Sequence, residues 1–132
     1  MTGLLLSLVA ACASNEVEPG DSPQSAAEAF LSLIDKGDYE GSWNQSSAWL
    51  RSMTDADQWA EHAGSYRQPL GDVLNREVTS IEIQESLEDM PAGQYAFVTF
   101  SSSLADGRNV TEMIGLMLDD DAAWRVIGYQ TQ

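Results

Sequence analysis

The chain has 132 residues, which is enough for one domain with a single hydrophobic core. Six basic residues against 21 acidic ones give a net charge of −15, and a field of this sign repels phosphate backbones, so we expect no nucleic-acid binding. With one cysteine and one histidine, the sequence lacks the usual zinc ligand sets and cannot form an intramolecular disulfide. We therefore expect no metal and no other cofactor.

The amino-terminal segment 4–12 is an apolar run of signal-peptide length, too short to cross a bilayer as a helix. Its last residues, Val9-Ala10-Ala11-Cys12, resemble the lipobox of bacterial lipoproteins. That resemblance implies a signal peptide over residues 1–11, cleavage before Cys12 and acylation of Cys12. Residues 13–21 are polar and contain Pro and Gly, so residues 12–21 are predicted to form a lipidated cysteine with a flexible tether.

Two details refine this prediction of localisation. Residues 1–3 contain no Lys or Arg, whereas secretory signals begin with a basic region, so we expect the natural start to lie upstream. Ala13, which follows the cysteine, is not aspartate. By resemblance to Gram-negative lipoproteins, this favours anchoring in the outer membrane, with the domain facing the periplasm of the cell envelope.

The first half of the predicted domain, which spans residues 22–132, has the pattern of three helices. Ser22 followed by Pro is typical of a helix start, and Gly37 is expected to end that helix in the left-handed conformation. Asp38 caps a second helix that we expect to run towards Leu50. A third helix is predicted to begin at position 54 or 55 and to end before Pro69.

The second half predicts four strands. An alternating segment over 77–85 precedes three runs rich in β-branched and aromatic residues, at 94–104, 110–118 and 124–129. Asp106-Gly107 and the three aspartates at 119–121 are expected to form hairpin turns, and the aspartates are not interpreted as a calcium site. The fold class predicted is α+β, with three N-terminal helices packed on one face of a four-stranded antiparallel meander.

On the last strand, strict alternation predicts Val126 with Gly128 on one face and Ile127 with Tyr129 on the other. Both faces of the predicted sheet carry apolar residues, and one helical layer covers only one face. The surplus of apolar residues therefore predicts a ligand, a partner or a second protomer on the outer face.

A set of short stretches occurs together along the domain: residues 29–35, 37–39, Ser42-Trp43, Trp59, residues 67–71, Arg76 and residues 124–129. This set resembles the bacterial domain-of-unknown-function family 4019, over about residues 26–130. The resemblance implies a cystatin-like or nuclear-transport-factor-2-like α+β fold. It implies no activity.

The candidate ligand-binding residues are Trp43, Trp59, Tyr66 and Arg67, because an aromatic cleft with one cation suits an apolar or weakly anionic molecule. The alternative is that the aromatic residues belong to the core, and Arg67 and Arg76 are expected to pair with nearby acids rather than to hold a ligand. His62 has no partner that the sequence identifies, so no catalytic residue is predicted.

The function predicted is a lipid-anchored, non-enzymatic binding or interaction module. Its expected partners are the membrane, through lipid at Cys12, and an envelope protein or a small apolar ligand. Two alternatives remain open: a pocket enzyme of the isomerase or dehydratase kind, and a structural domain that forms a homodimer through the outer face of its sheet.

The lipid anchor is tested by the change Cys12→Ala in a chain expressed behind a complete signal sequence. The parent chain is expected to fractionate with membranes and to incorporate labelled fatty acid, because several acyl chains anchor stably where one is marginal. The variant should lose both properties. A variant that is still lipid-labelled in the membrane fraction would show that Cys12 is not the anchor.

Overall fold

A computed structural model describes residues 22–132, so the predicted signal peptide, Cys12 and the tether lie outside the described residues. The elements in chain order are the helices α1 (Pro23–Asp35), α2 (Tyr39–Asn44), α3 (Ala48–Met53) and α4 (Ala56–Arg67), a 3-10 turn (Gln68–Leu70), and the strands β1 (Val73–Gln84), β2 (Tyr95–Leu104), β3 (Asn109–Leu118) and β4 (Trp124–Thr131). In this part of the chain the four strands form one antiparallel sheet in the order β1-β2-β3-β4. The predicted α+β class and antiparallel meander are confirmed.

The first helix begins and ends as predicted. The Ser22 hydroxyl accepts a hydrogen bond from the backbone N–H of Ser25 at 3.1 Å, and Ser25 completes a capping box by accepting from the N–H of Ser22. Gly37 has φ of 79°, a conformation that side chains disfavour. Asp38 then caps α2 by accepting from the N–H of Gly41 at 2.9 Å.

The prediction of three helices was wrong, because residues 22–132 contain four. The predicted second helix is interrupted at Ser47, whose backbone is extended (φ −65°, ψ 154°). The Ser47 hydroxyl caps α3 by accepting from the N–H of Leu50 at 3.0 Å, and its own N–H donates to the carbonyl of Val126 on β4 at 3.0 Å. The interruption therefore fastens the helical half to the last strand.

The core lies between the helices and one face of the sheet, which we call the helix face. Helix α1 contacts all four strands. Its buried side chains Ala27, Phe30, Leu31 and Ile34 pack in one cluster with Ala96, Val98, Phe100, Ile114, Leu116, Val126 and Tyr129 of the sheet. This burial of large apolar side chains is the main driving force for docking the helices on the sheet.

A β-bulge in β4 overturns the predicted alternation of that strand. Leu116 pairs with Val126 and Gly115 pairs with Gly128, so Ile127 has no partner of its own. One extra residue reverses the facing of the residues after it. Val126 and Tyr129 are consequently both buried on the helix face, whereas alternation had placed them on opposite faces.

The other face of the sheet, which we call the outer face, is less open than expected. Tyr95 and Met117 lie opposite each other on this face and are buried, and the Tyr95 hydroxyl donates to the carbonyl of Pro91 at 2.6 Å. Phe97 and Met113 are half-buried. The apolar surface left on the outer face is therefore concentrated around Phe97, Met113 and Ile127.

The two hairpins at 104–108 and 119–123 have the same geometry but different residues at the critical position. Each loop has three residues, closed by hydrogen bonds of 2.9 to 3.0 Å, and its third residue has positive φ. That residue is Gly107 (φ 94°) in the first hairpin and Ala122 (φ 68°) in the second. A side chain in this conformation costs about 1–2 kcal/mol, so the second hairpin is strained.

We expect Ala122→Gly to stabilise the protein by roughly 0.5–1 kcal/mol. The change removes the strain, and the larger entropy of glycine in the unfolded chain offsets part of the gain. Gly107→Ala is the reverse change in the same geometry and should destabilise by about 1 kcal/mol. Urea denaturation measures both. A loss of stability in Ala122→Gly would contradict the assigned geometry.

Candidate functional site

A set of charged and hydroxyl side chains meets on the helix face, and we call it the polar cluster. It takes one residue from each strand and one from the carboxyl end of each of the two longest helices in the described part of the chain. Its members are Asp35 (α1), Arg67 (α4), Arg76 (β1), Ser102 (β2), Glu112 (β3) and Tyr129 (β4).

Glu112 is the centre of the cluster and is fully buried, with 0 % of its side chain exposed. Its Oε1 accepts hydrogen bonds from Arg76 Nε and from the Ser102 hydroxyl, both at 2.6 Å. Its Oε2 accepts from the Tyr129 hydroxyl at 2.6 Å and from Arg76 Nη2 at 3.3 Å. A buried carboxylate needs such partners, because an unpaired one is strongly unfavourable in a low-dielectric interior.

The guanidinium of Arg76 joins Glu112 to a second carboxylate. Its Nη1 and Nη2 donate to Asp35 Oδ2 and Oδ1 at 2.8 and 2.9 Å. Arg67 donates from Nε to Asp35 Oδ1 at 3.1 Å and from Nη1 to the carbonyl of Gly71 at 2.7 Å. Two cations thus alternate with two carboxylates. The predicted pairing of both arginines with acids is confirmed, although these ion pairs lie largely inside the protein and not at its surface.

The surroundings favour the ionised form of Glu112 and Asp35 and the protonated form of Tyr129. Burial alone would raise the pKa of Glu112, but hydrogen bonds from Arg76, Ser102 and Tyr129 outweigh it, so that pKa lies below its usual range. Burial also opposes ionisation of Asp35, and its two arginine partners again make the lowered pKa prevail. For Tyr129, burial and the Glu112 charge raise the pKa of the phenol.

The polar cluster is therefore a poor acid–base centre. Glu112 stays ionised with both oxygens engaged, and Tyr129 stays protonated as its donor. Within residues 22–132, every buried side-chain nitrogen or oxygen has a hydrogen-bond partner. This arrangement fixes the register of the four strands and holds the carboxyl ends of α1 and α4 against the sheet.

The structure does not bring the four predicted ligand-binding residues into one cleft. Trp59 lies in the core, where its Nε1 donates to the Ser42 hydroxyl at 2.9 Å. Trp43 is half-buried and donates to the carbonyl of Thr54 at 3.0 Å. Arg67 belongs to the polar cluster, whereas half-buried Tyr66 lines a separate groove that does not include Arg67.

This second feature, the apolar groove, lies between α4 and the sheet and extends onto the outer face. It encloses about 330 Å³, and its lining residues are His62, Tyr66, Phe97, Met113, Gly115, Ile127, Gly128, Tyr129 and Gln130. His62 and Tyr66 form an aromatic wall, with ring centroids 5.2 Å apart and planes at 74°. The Tyr66 ring in turn meets Tyr129 edge-on at 6.3 Å.

Two glycines that face each other on neighbouring strands lie in the groove. Gly115 and Gly128 are cross-strand partners. A Cβ on Gly115 would come within 3.3 Å of the Phe97 ring and 3.4 Å of Ile127, whereas nothing lies within 4 Å of the position that a Cβ on Gly128 would take. Phe97 and Ile127 fill the space at Gly115, whereas the missing side chain of Gly128 leaves a recess between the aromatic wall and the apolar residues of the outer face.

Sequence reasoning missed Glu112 and the groove for different reasons. Glu112 stands two residues before Ile114 and four before Leu116, so alternation alone places this acid on the buried face. The burial of Glu112 could therefore have been predicted from the sequence. The groove depends on the bulge at Ile127, which has no comparable local signal.

The described residues contain neither a group of metal ligands nor a membrane-spanning helix. Between residues 22 and 132, no three His, Asp or Glu side chains are grouped so that they could hold a metal ion. In the same range, no helix is long and apolar enough to cross a membrane.

Comparison with known proteins identifies the family. The family model described as "Protein of unknown function (DUF4019)" matches residues 26–129, which is most of the chain. The chain therefore belongs to the DUF4019 family, as the set of short stretches in the sequence indicated. A search against curated proteins found no match.

We expect Arg76→Met to destabilise the fold by about 3–5 kcal/mol, because it leaves the buried Glu112 carboxylate without its cation. Arg108→Met is the matched control: Arg108 pairs with Asp106 at 2.7 Å, but both side chains are about half exposed. Its loss should be far smaller. Equal losses of unfolding free energy in the two variants would show that the polar cluster contributes no more than a surface pair.

The lowered pKa of Glu112 predicts a dependence of stability on pH. The unfolded chain binds a proton at Glu112 more readily than the folded protein does, so this contribution is complete above the ordinary glutamate pKa of 4.5 and is lost as pH falls through the lowered value. Glu112→Gln should lower stability at neutral pH and give a shallower acid limb in urea denaturation. Part of the dependence of stability on pH should remain in this variant, because the pKa of Asp35 is also lowered in the folded protein. Parallel profiles for variant and parent would contradict the assignment.

Proposed function

We propose that this member of the DUF4019 family is a non-enzymatic binding module that receives an apolar group of its ligand in the apolar groove. We further propose that lipid at Cys12 holds it at the outer membrane, facing the periplasm. The observation that carries the binding proposal is Gly128, whose missing side chain leaves a recess among apolar side chains.

Gly128 supports a binding role because glycine is otherwise unfavourable at such a position, and no side chain of the domain fills the space in front of it. It weakens a strand and contributes no packing on a face where neighbouring side chains stabilise the sheet. A close approach by another molecule is one recognised reason for glycine within a strand. Here the flanking groups, Phe97, Met113 and Ile127, would bury their remaining exposed surface against such a molecule.

The lining favours a neutral or cationic ligand with a compact apolar part. Besides its two tyrosines, the groove lining has two exposed polar side chains, the His62 imidazole and the Gln130 amide, among mainly apolar walls. A volume of about 330 Å³ is at the small end for small-molecule sites, so it suits one ring system or a short alkyl segment. The net charge of −15 disfavours anions.

The same geometry supports binding over the two alternatives. A pocket enzyme needs a titratable group that reaches its substrate, whereas Glu112 is closed off by Arg76, Ser102 and Tyr129. A dimer through the outer face needs a broad apolar surface. Burial of Tyr95 and Met117 within the domain reduces that surface.

The test fills the groove without disturbing the fold. Gly128→Leu places a side chain in open space, so we expect stability to be retained and binding of the neutral dye Nile red to fall at least about tenfold. Ser101→Leu adds the same side chain at a position outside the groove lining and should leave dye affinity unchanged. Fluorescence titration gives the affinities, and thermal denaturation checks the fold.

Two results would contradict the proposal. One is a folded Gly128→Leu variant that binds the dye as tightly as the parent. The other is a parent chain whose NMR shifts on dye binding lie away from His62, Tyr66 and Gly115.

A further inference from the structure

We infer that the free edge of β1 is a docking site for an extended basic segment of a partner protein, which adds to the sheet as a further strand. Among the strands of residues 22–132, β1 is the outermost on its side of the sheet. It is 12 residues long, and every residue from Thr79 to Gln84 is exposed. A long exposed edge of this kind offers unpaired backbone donors and acceptors to another chain.

Two isoleucines give this edge an apolar side. Ile81 pairs with Val98 and Ile83 pairs with Ala96, so both isoleucines lie on the helix face. Val98 and Ala96 are fully buried, yet Ile81 and Ile83 are 43 % and 48 % exposed. The apolar surface of the helix face thus continues past the cover that the described helices provide.

The β-bulges that help to protect an edge strand are confined to the first half of β1. Its two register irregularities lie between Val73 and Asn75 and between Val78 and Ser80. From Ser80 to Gln84 the pairing with β2 is regular, and β1 contains neither proline nor lysine. The regular half is therefore the half that a partner strand can extend.

The acidic side chains of β1 favour a basic partner segment. Glu77 and Glu82 lie on the outer face, opposite Ser101 and Phe97. The cation of β1, Arg76, is engaged with Asp35 and Glu112. A strand that alternates apolar side chains with Lys or Arg would meet the isoleucines on one face and the glutamates on the other.

A second copy of this chain fits the edge less well. Each copy carries a net charge of −15, so two copies repel each other. Pairing of two β1 strands also brings the glutamates of both edges together, and like charges on neighbouring strands are unfavourable. The basic segment removes both penalties, which is why we favour it as the occupant.

The experiment uses a short fluorescent peptide in which valine and lysine alternate, titrated into the full chain and followed by anisotropy at low salt. We expect binding, with slower amide exchange over residues 80–84. Glu82→Lys and Ile81→Lys should each weaken binding about threefold to tenfold, because each removes a cross-strand contact and adds repulsion. The control Glu61→Lys makes the same charge change at an exposed position of α4 and should change affinity less than about twofold.

A second control separates strand addition from electrostatic adhesion. The same peptide with every backbone nitrogen methylated keeps its charges but cannot donate a backbone hydrogen bond from either edge, and it should not bind. Equal binding of the methylated peptide, or equal losses in Glu82→Lys and Glu61→Lys, would overturn the proposal. So would a parent chain that is a dimer dissociated by Ile81→Lys, or exchange protection at 80–84 that disappears when residues 1–21 are removed.

Discussion

The buried carboxylate of Glu112 constrains the whole sheet. It is stable in the interior only if donors surround it, and those donors come from Arg76 on β1, Ser102 on β2 and Tyr129 on β4. A slip of one residue in any strand would turn the corresponding donor to the outer face and leave Glu112 short of a partner. Through Arg76, the same constraint reaches Asp35 and so fixes the carboxyl end of α1.

The bulge at Ile127 lets the last strand contribute residues both to the polar cluster and to the apolar groove. Because one residue is extra, Tyr129 turns inward to Glu112 while Ile127 and Gly128 remain at the groove. With the interior committed to the polar cluster and the apolar core, the proposals concern two surfaces of residues 22–132, the groove beside α4 and the edge of β1. The proposed functions use these two surfaces and leave the cluster intact.

Local chemistry was sufficient to predict the elements whose signals are local. The cap at Ser22, the left-handed Gly37 and the two hairpin turns could be read from neighbouring residues. The split of the second helix could not, because Ser47 is held out of the helix partly by its bond to Val126, far along the chain. Ion pairs of Arg67 and Arg76 with acidic residues were predicted. Their burial was not predicted, because it depends on how the four strands align.

The most direct measurement of the central claim is a double-mutant cycle on Arg76→Met and Glu112→Gln, with unfolding free energies from urea denaturation near neutral pH. If the two residues act as one unit, the double variant should be more stable than the sum of the single losses implies, with a coupling of about 2 kcal/mol or more. Additive losses, within about 0.5 kcal/mol, would contradict the claim that this ion pair organises the sheet.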